Sequence, residues 1–189
     1  MSEFFLELFS EEIPANLQKN TRNNLLEIFK DFFEKKNIGF NNEFSFSTPN
    51  RLLILFEDIQ PQIHQKEEEI RGPKIDSPEK ALSGFLKSNN LQDKDLYKKE
   101  NEKGIFYFAK KPPKTIKVSD LLNENIPLIL DKISWKKSMK WGDFDLYWGR
   151  PLKSVLAVFN NKSLSFKYHH LESSNFTIVD ENFEDKSKR

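Results

Sequence analysis

The spacing of hydrophobic residues changes from a strand-like to a helix-like period early in the chain. In Glu3–Phe9 charged side chains are interleaved with aromatic and aliphatic ones, which predicts a strand. After that segment apolar residues recur every three or four positions until about Lys36, which predicts a helix with one apolar face. We expect Ser10–Ile13 to cap this helix, Pro14 to lie in its first turn and Gly39 to mark its end.

Two pairs of strand-like segments are separated by short polar turns, and each pair predicts an antiparallel hairpin. The first pair is Phe44–Ser47 and Leu52–Phe56, joined at Thr48–Arg51. Because Leu52–Phe56 is an almost continuous apolar run, we expect it to be a central strand that is buried on both faces. The second pair is Val155–Phe159 and Leu164–Tyr168, joined by two asparagines and a lysine.

Between the two hairpins the chain alternates extended and helical segments. Glu67–Pro73 and Gly104–Ala109 are predicted to be extended, and a short helix is expected to begin at Ser77. Apolar residues in Ser119–Ile133 follow a helical period, although Pro127 is expected to kink or divide that helix. The predicted fold class is therefore α+β, a mainly antiparallel sheet with about three helices packed on it.

The length of the chain predicts one domain or at most two small ones. It has 189 residues, and we predict an N-terminal domain over 1–179 in which a break near 73–78 would separate two subdomains. Residues 180–189 are charged and almost free of apolar side chains. We expect them to form a charged tail or the cut edge of a longer polypeptide.

Composition excludes several classes of site and gives no overall charge signal. The absence of cysteine removes disulfides, thiol nucleophiles and cysteine-ligated zinc. Lys+Arg number 30 and Asp+Glu number 29, so any nucleic-acid interface must be a local basic patch. There is no apolar run of membrane-spanning length and no basic signal-peptide segment, so we expect a cytoplasmic protein without a membrane partner.

Motifs typical of enzymes are missing from the sequence. There is no glycine-rich phosphate loop of the dinucleotide or Walker type and no G-x-S-x-G nucleophile motif. The adjacent acids Glu11 and Glu12 could suggest acid–base chemistry, but at a helix start they point in different directions, and the positive end of the predicted helix explains them without catalysis. His169 and His170 at a strand end should face opposite sides, which disfavours a shared metal. We therefore predict no catalytic residue and no metal site.

A basic segment with interleaved tryptophans is the clearest candidate for an interaction surface. Trp135–Gly142 combines three lysines with two indole rings, and Trp148–Pro151 follows closely. Lysines can contact phosphates while indole rings stack on bases, which would make a nucleic-acid interface. Equally, the tryptophans could anchor the loop to the core while the lysines remain in solvent. The sequence leaves both interpretations open.

Arginine is rare in a chain that otherwise uses lysine, so each arginine is a candidate for specific recognition. The arginines are Arg22, Arg51, Arg71, Arg150 and Arg189. Two of them, Arg51 and Arg71, lie at strand ends beside turn prolines. Each could pair with an acidic side chain or cap carbonyl groups within the domain, or it could bind a ligand or partner.

Six short segments stand in a recognisable order along the chain, and they are Phe5–Pro14, Thr48–Leu52, Arg71–Pro73, Ala81–Phe85, Lys137–Gly142 and Gly149–Pro151. Together they resemble the N-terminal part of the β subunit of bacterial heterotetrameric glycyl-tRNA synthetase. Asn50 and Lys140 stand where that family tends to have arginine. Since the family's β subunit is several times longer, we expect this chain to correspond to its first domain.

The resemblance implies a non-catalytic role in attaching glycine to tRNA(Gly). It places glycine, ATP and Mg²⁺ in the α subunit and no cofactor in this chain, with the α subunit, tRNA(Gly) and the remainder of the β subunit as partners. The chain would support glycylation through tRNA recognition, assembly with the α subunit, or both. The alternative is a purely structural domain without tRNA contact. The candidate contact residues are Arg51, Arg71, Lys137, Lys140, Trp141 and Arg150.

Overall fold

The computed structural model of the chain describes residues 2–65, 67–89, 91–101 and 104–178, which form two compact units. Unit 1 is drawn from Met1–Ile63 and Lys117–Arg189, and unit 2 from His64–Ile116. The fold class is α+β, as predicted. The sequence-based break near 73–78 falls within unit 2, and the charged segment 180–189 lies outside the described residues.

The α-helices are α1 (Ala15–Lys35), α2 (Glu79–Asn89) and α3 (Val118–Leu130). The strands are β1 (Phe4–Ser10), β2 (Asn42–Thr48), β3 (Arg51–Glu57), β4 (Gln62–Gln65), β5 (Glu68–Lys74), β6 (Leu96–Asn101), β7 (Gly104–Lys111), β8 (Lys114–Lys117), β9 (Leu152–Phe159), β10 (Lys162–Ser163), β11 (Lys167–Tyr168) and β12 (Leu171–Glu172). Strands β4 and β8, in which the chain passes between the units, pair with each other.

Unit 1 is built on an antiparallel sheet with the strand order β10-β9-β1-β3-β2. Strand β1 is central, and Leu6 pairs with Ile54 of β3 on one side and Ala157 of β9 on the other. All three side chains are completely buried, in the same hydrophobic cluster as the apolar residues of α1 and α3. The two helices therefore cover this first face of the sheet.

Phenylalanine rings fill the core between α1 and the sheet. Phe33 of α1 is fully buried, and its ring centroid lies 4.9 Å from that of Phe56 and 6.0 Å from that of Phe4. Leu25 and Phe29 continue the same buried stripe along the helix. The helical period read from the sequence is therefore confirmed, because apolar residues at three- and four-residue spacing share one face.

The ends of α1 differ from the prediction. Helix α1 begins after Pro14, no side chain caps it, and its first turn contains no acidic residue. The 10–13 segment lies before the N-cap position, which Pro14 occupies, and its amides bond to other loops: Ile13 N donates to Pro49 O at 2.6 Å. At the other end Asn37, with φ of 54°, adopts the left-handed conformation expected of a glycine such as Gly39. Glu11 and Glu12 are therefore not explained by the helix dipole.

The first hairpin is confirmed, but β3 is not buried on both faces. Strands β2 and β3 pair antiparallel across the Pro49–Asn50 turn. Burial alternates along β3, so Leu52, Ile54 and Phe56 are fully buried while Leu53 and Leu55 are half-exposed on the second face of the sheet. Among the described residues, helices cover one face of the sheet only, so an almost continuous apolar run can belong to a strand with a single buried face.

The second hairpin is confirmed in its turn and only in part in its strands. Asn160 and Asn161 both have positive φ, as a tight two-residue turn requires. The returning strand β10 covers only Lys162–Ser163 instead of extending from Leu164 to Tyr168. Leu164 N still donates to Ala157 O of β9 at 2.8 Å, but beyond it the Ser173 hydroxyl donates to Leu164 O and accepts from Phe166 N, which turns the chain away from β9.

Unit 2 contains an antiparallel sheet with the strand order β5-β7-β6, and α2 packs on one of its faces. A Cβ atom at Gly72 of β5 would lie 3.0 Å from the Phe85 ring, so this position leaves room for the helix. Strand β7 begins at Gly104 as predicted, extends two residues beyond Ala109 and ends just before Pro112. Helix α3 of unit 1 continues through Pro127 as one element. Among the described residues, no helix has the length and apolar character needed to cross a membrane.

Candidate functional site

Three loops that contain sequence landmarks meet at one end of the unit 1 sheet. We call residues 10–14, 48–51 and 149–151 together the motif corner. Backbone hydrogen bonds join them: Ser10 N donates to Asn50 O at 2.9 Å, and Glu11 N donates to Pro151 O at 2.9 Å. Segments far apart in the sequence are thus fixed to one another by their main chains, with their side chains directed outward or packed between them.

Arg150 lies at the outer side of the motif corner. Its Nε donates to Glu12 O at 3.2 Å, and its Nη1 lies 3.7 Å from the sulfur of Met139. Lys153 pairs with Glu11 at 2.6 Å. A shallow depression of about 450 Å³ is lined by Glu11, Glu12, Pro14 and Arg150. Glu11 is therefore paired with a cation, while Arg150 contacts Glu12 through its backbone carbonyl.

Tryptophans anchor the segment that leads into the motif corner. We call residues 134–148 the basic–aromatic loop. Trp148 is 1% exposed, and its ring centroid lies 5.2 Å from that of Trp135. Trp135 in turn lies directly on Gly149, where a Cβ atom would approach its ring to 2.2 Å, so only glycine fits. Met139 and Trp148 exchange two backbone hydrogen bonds of 2.8 and 3.1 Å, which close the loop.

The outer part of the basic–aromatic loop presents cations and rings to solvent. Lys136 and Lys137 are exposed and form no ion pair with any described residue. Phe144 is 41% exposed and Tyr147 is 64% exposed. Lys140 differs, since it pairs with Asp145 at 2.8 Å. The loop can therefore offer free positive charge and apolar contact area to a partner.

Trp141, on the other side of the loop, contacts the ring of His170. His170 stacks on Phe144 with ring centroids 3.8 Å apart, and Trp141 contacts it edge-on at 5.9 Å. Burial, and to a lesser extent the neighbouring His169, lowers the pKa of His170. His169 instead lies 3.3 Å from Asp131. The two histidines form the turn between β11 and β12 and have different partners, and no described group of three His, Asp or Glu residues could hold a metal.

Arg51 belongs to a buried network on the second face of the sheet. Its Nε lies 3.4 Å from the carboxylate of Glu7, whose side chain is only 7% exposed. Its Nη2 donates to Ile178 O, and the guanidinium lies 4.6 Å from the centre of the Phe9 ring. Thr177 donates its hydroxyl to Glu7 at 2.6 Å. Arg51 and Glu7 together hold the 177–178 segment against the sheet.

Arg71 lies in unit 2 and has a different environment. It is exposed, and its guanidinium stacks 3.7 Å from the centre of the Phe106 ring. The other candidates, Lys137, Lys140, Trp141 and Arg150, all lie in unit 1, on the basic–aromatic loop or at the motif corner. The structure brings Arg150 into contact with that loop through Met139.

Several residues of these sites were not singled out by the sequence. Glu7 could have been recognised from the sequence, because it is a charged residue within an otherwise apolar strand. Met139, Phe144 and Tyr147 could not, because their contacts depend on how the loop folds. His170 was considered only as a metal ligand, whereas it acts as a ring in an aromatic stack.

Comparison with known proteins identifies the family. Residues 4–188 match the family model described as glycyl-tRNA synthetase beta subunit. The chain is 40% identical over 177 residues to the glycine–tRNA ligase beta subunit of Rickettsia peacockii (strain Rustic), and 39% identical over 177 residues to that of Rickettsia prowazekii (strain Madrid E). Each alignment covers 94% of this chain and 26% of the relative, so the chain spans about a quarter of the length of these curated relatives. The chain belongs to the glycyl-tRNA synthetase beta subunit family.

Proposed function

We propose that the chain is a non-catalytic part of a cytoplasmic glycyl-tRNA synthetase and supports the attachment of glycine to tRNA(Gly) by contacting the tRNA. In this proposal the α subunit binds glycine, ATP and Mg²⁺ and carries out the chemistry. The observation that carries the proposal is the basic–aromatic loop, where the unpaired lysines Lys136 and Lys137 and the exposed rings of Phe144 and Tyr147 belong to the same described loop.

The physical case for tRNA rests on charge and on the way the loop is anchored. Lysine ammonium groups attract phosphates and release counterions from RNA on binding. Exposed aromatic rings beside them supply surface for stacking or apolar contact with the nucleotide. Trp135 and Trp148 fix the base of the loop, so less conformational entropy is lost when its outer part binds. With a net charge of only +1, the chain would add a local contact to a larger tRNA interface.

The experiment removes the two free lysines in the complete enzyme, assembled from the full-length β chain and its α subunit. For K136A/K137A we expect several-fold weaker binding of tRNA(Gly). The slope of log K against log salt should fall by about 2, because two phosphate contacts are lost. Binding is measured by fluorescence anisotropy at several salt concentrations, and glycylation kinetics give the KM for tRNA.

A matched control comes from α1, where Lys35 and Lys36 are also adjacent, exposed and in unit 1. K35A/K36A changes the net charge by the same amount at another surface and should leave both the affinity and the salt slope unchanged. Equal behaviour of the two double variants would refute a tRNA contact by the loop.

A second role, assembly with the α subunit, is favoured by a separate observation in unit 1. On the edge strand β2, Phe44 is 42% exposed and Phe46 is 54% exposed, and their rings stack with centroids 6.3 Å apart. Exposed aromatic side chains on a sheet edge are typical of protein contacts. For F44S/F46S we expect weaker association with the α subunit in analytical ultracentrifugation. Unchanged association would exclude this surface.

A further inference from the structure

Unit 2 contains an exposed guanidinium that is held in place and has no hydrogen-bond acceptor among the described residues. The sheet β5-β7-β6 has α2 on one face, next to Gly72. Directly opposed residues of antiparallel strands share a face, so Arg71, Tyr97 and Phe108 lie together on the other face of the sheet. Arg71 stacks on the neighbouring Phe106 of that face at 3.7 Å.

An irregularity in β5 brings two basic residues to the part of the sheet that contains Phe106. The register of the β5–β7 pair shifts between Arg71 and Lys74, so Lys74 is paired with Phe106 while Arg71 is paired with Phe108. Gly72 and Pro73 form the irregular segment, and proline cannot donate a ladder hydrogen bond. Lys74 is consequently opposite Phe106 in the ladder while the Arg71 guanidinium stacks on the Phe106 ring, and we call these three residues the Arg71 site.

The nearest acid on the same strand is already occupied. Glu69 accepts a hydrogen bond from the hydroxyl of Tyr97 and an ion pair from Lys99 at 3.0 Å. The hydrogen bond from Tyr97 and the charge of Lys99 lower the pKa of Glu69, which therefore stays ionised and bound to them. No described carboxylate forms an ion pair with Arg71. Lys74 has only a long contact of 3.8 Å with Asp76, a side chain that is itself 78% exposed.

Such an arrangement is suited to binding a phosphate group. A guanidinium offers a planar fork of donors that matches two phosphate oxygens, and stacking on an aromatic ring fixes its plane without consuming those donors. Lys74, which is opposite Phe106 in the ladder, supplies a second positive charge on this face of the sheet. A group that is already oriented loses little entropy on binding, so the site is preorganised for its ligand.

We propose that the Arg71 site binds a backbone phosphate of tRNA(Gly). This inference rests on the proposed function and adds to it a second contact, on unit 2, that is separate from the basic–aromatic loop. RNA is favoured over an acidic peptide because the surrounding sheet face presents ring surface and two cations without a free described acid beside the guanidinium.

The test compares two substitutions of Arg71 in the complete enzyme, with tRNA(Gly) transcript as the probe. R71A removes both the positive charge and the planar fork of donors. The dissociation constant should therefore rise by about 5- to 10-fold, and the slope of log K against log salt should fall by about 1. R71K keeps the charge and loses the fork, so the affinity should fall about 3-fold while the salt slope is retained. K80A removes an exposed cation from α2 of the same unit and should behave like the wild type.

The outcomes separate this inference from the proposed function. If R71A binds tRNA like the wild type while K136A/K137A binds weakly, the Arg71 site is wrong and the loop contact stands. If neither set of variants changes binding, both proposals are wrong. Sedimentation of each variant checks that the α subunit is still present. Loss of the α subunit from R71A, or equal weakening by K80A, would also overturn a specific phosphate site.

Discussion

The two units bury hydrophobic surface to very different extents. In unit 1 one continuous cluster fills the space between the sheet and two helices, and it includes fully buried side chains as large as Phe33 and Trp148. In unit 2 the buried hydrophobic residues among those described are Phe108 and Ala109, and α2 has no buried residue. Burial of apolar area is the main stabilising contribution in folding, so unit 1 should be much the more stable.

Unit 2 relies instead on contacts across the surface of its sheet. Tyr97 stacks with Phe108, and its hydroxyl donates to Glu69, which raises the pKa of Tyr97 to about 12. Lys99 adds an ion pair to the same carboxylate. Such exposed cross-strand pairs are individually weak. The comparison teaches that unit 1 can serve as a rigid scaffold, whereas unit 2 can adjust its shape at low cost.

The largest expected effect comes from the same substitution made in each unit. Phe33→Ala should destabilise unit 1 by about 3–5 kcal/mol, because it leaves a cavity among packed rings. Phe85→Ala should destabilise unit 2 by only about 1 kcal/mol, since that ring is half-exposed. Urea unfolding followed by tryptophan fluorescence reports on unit 1, which contains Trp135, Trp141 and Trp148. Hydrogen exchange of the β7 amides reports on unit 2.

This pair of variants tests directly whether the two units unfold independently. If Phe85→Ala shifted the fluorescence transition as far as Phe33→Ala, the two units would unfold together and could not be treated as separate. Phe33→Leu serves as the control for cavity size, and a loss well below that of the alanine variant is expected.

A smaller effect is expected from the two arginines that the sequence treated alike. Arg51→Ala should destabilise unit 1 by about 2–3 kcal/mol, because the buried carboxylate of Glu7 loses its counter-charge. Arg71→Ala should change stability by less than about 0.5 kcal/mol, because its guanidinium is exposed and has no described acid partner. Thermal and urea unfolding of both variants give the two values.

Glu7→Gln provides the control for the charge. In the Arg51→Ala background it removes the uncompensated carboxylate and keeps an oxygen for the Thr177 hydroxyl, so stability should partly recover. No recovery in the double variant would mean that Arg51 stabilises the sheet by packing on Phe9 instead of by charge.

Local sequence signals were enough for much of the fold. The spacing of Leu25, Phe29 and Phe33 gave the buried face of α1, and the Pro49–Asn50 turn gave the first hairpin. The end of the second hairpin could not be found in this way, because the Ser173 hydroxyl bonds Leu164 O and Phe166 N. A contact made by a side chain from later in the chain cannot be inferred from the hydrophobic period of the strand itself.

The candidate site was less accessible to sequence reasoning for the same reason. Arg51 and Arg71 have similar local contexts, each at a strand end near a proline. Their different environments arise from distant partners: Thr177, which binds Glu7 beside Arg51, is separated from Glu7 by 170 positions. In contrast, the resemblance to a family singled out the motif-corner segments along the sequence, although it could not show that their backbones bond to one another.

The smallest expected effect is a difference in the pH dependence of the two units. Burial lowers the pKa of His170 below its ordinary value of 6.5, so the folded unit 1 favours the neutral imidazole. The unfolded chain then binds a proton more readily than the folded one. The stabilising contribution is complete above pH 6.5 and is lost as the pH falls through the lower folded pKa. In unit 2 the lowered pKa of Glu69 gives the same sign at more acidic pH, below its ordinary value of 4.5.

Hydrogen exchange measured for each unit between pH 7.5 and 3.5 tests the order in which the two units lose stability as the pH falls. Unit 1 should weaken first, as the imidazole between Phe144 and Trp141 begins to bind protons, and unit 2 should respond only in the range of carboxylates. His170→Gln removes the titrating ring and should flatten the unit 1 profile near pH 6, while Glu69→Gln should flatten only that of unit 2. A unit 1 profile unchanged by His170→Gln would assign its pH dependence to other groups, because neutral glutamine cannot take up the proton.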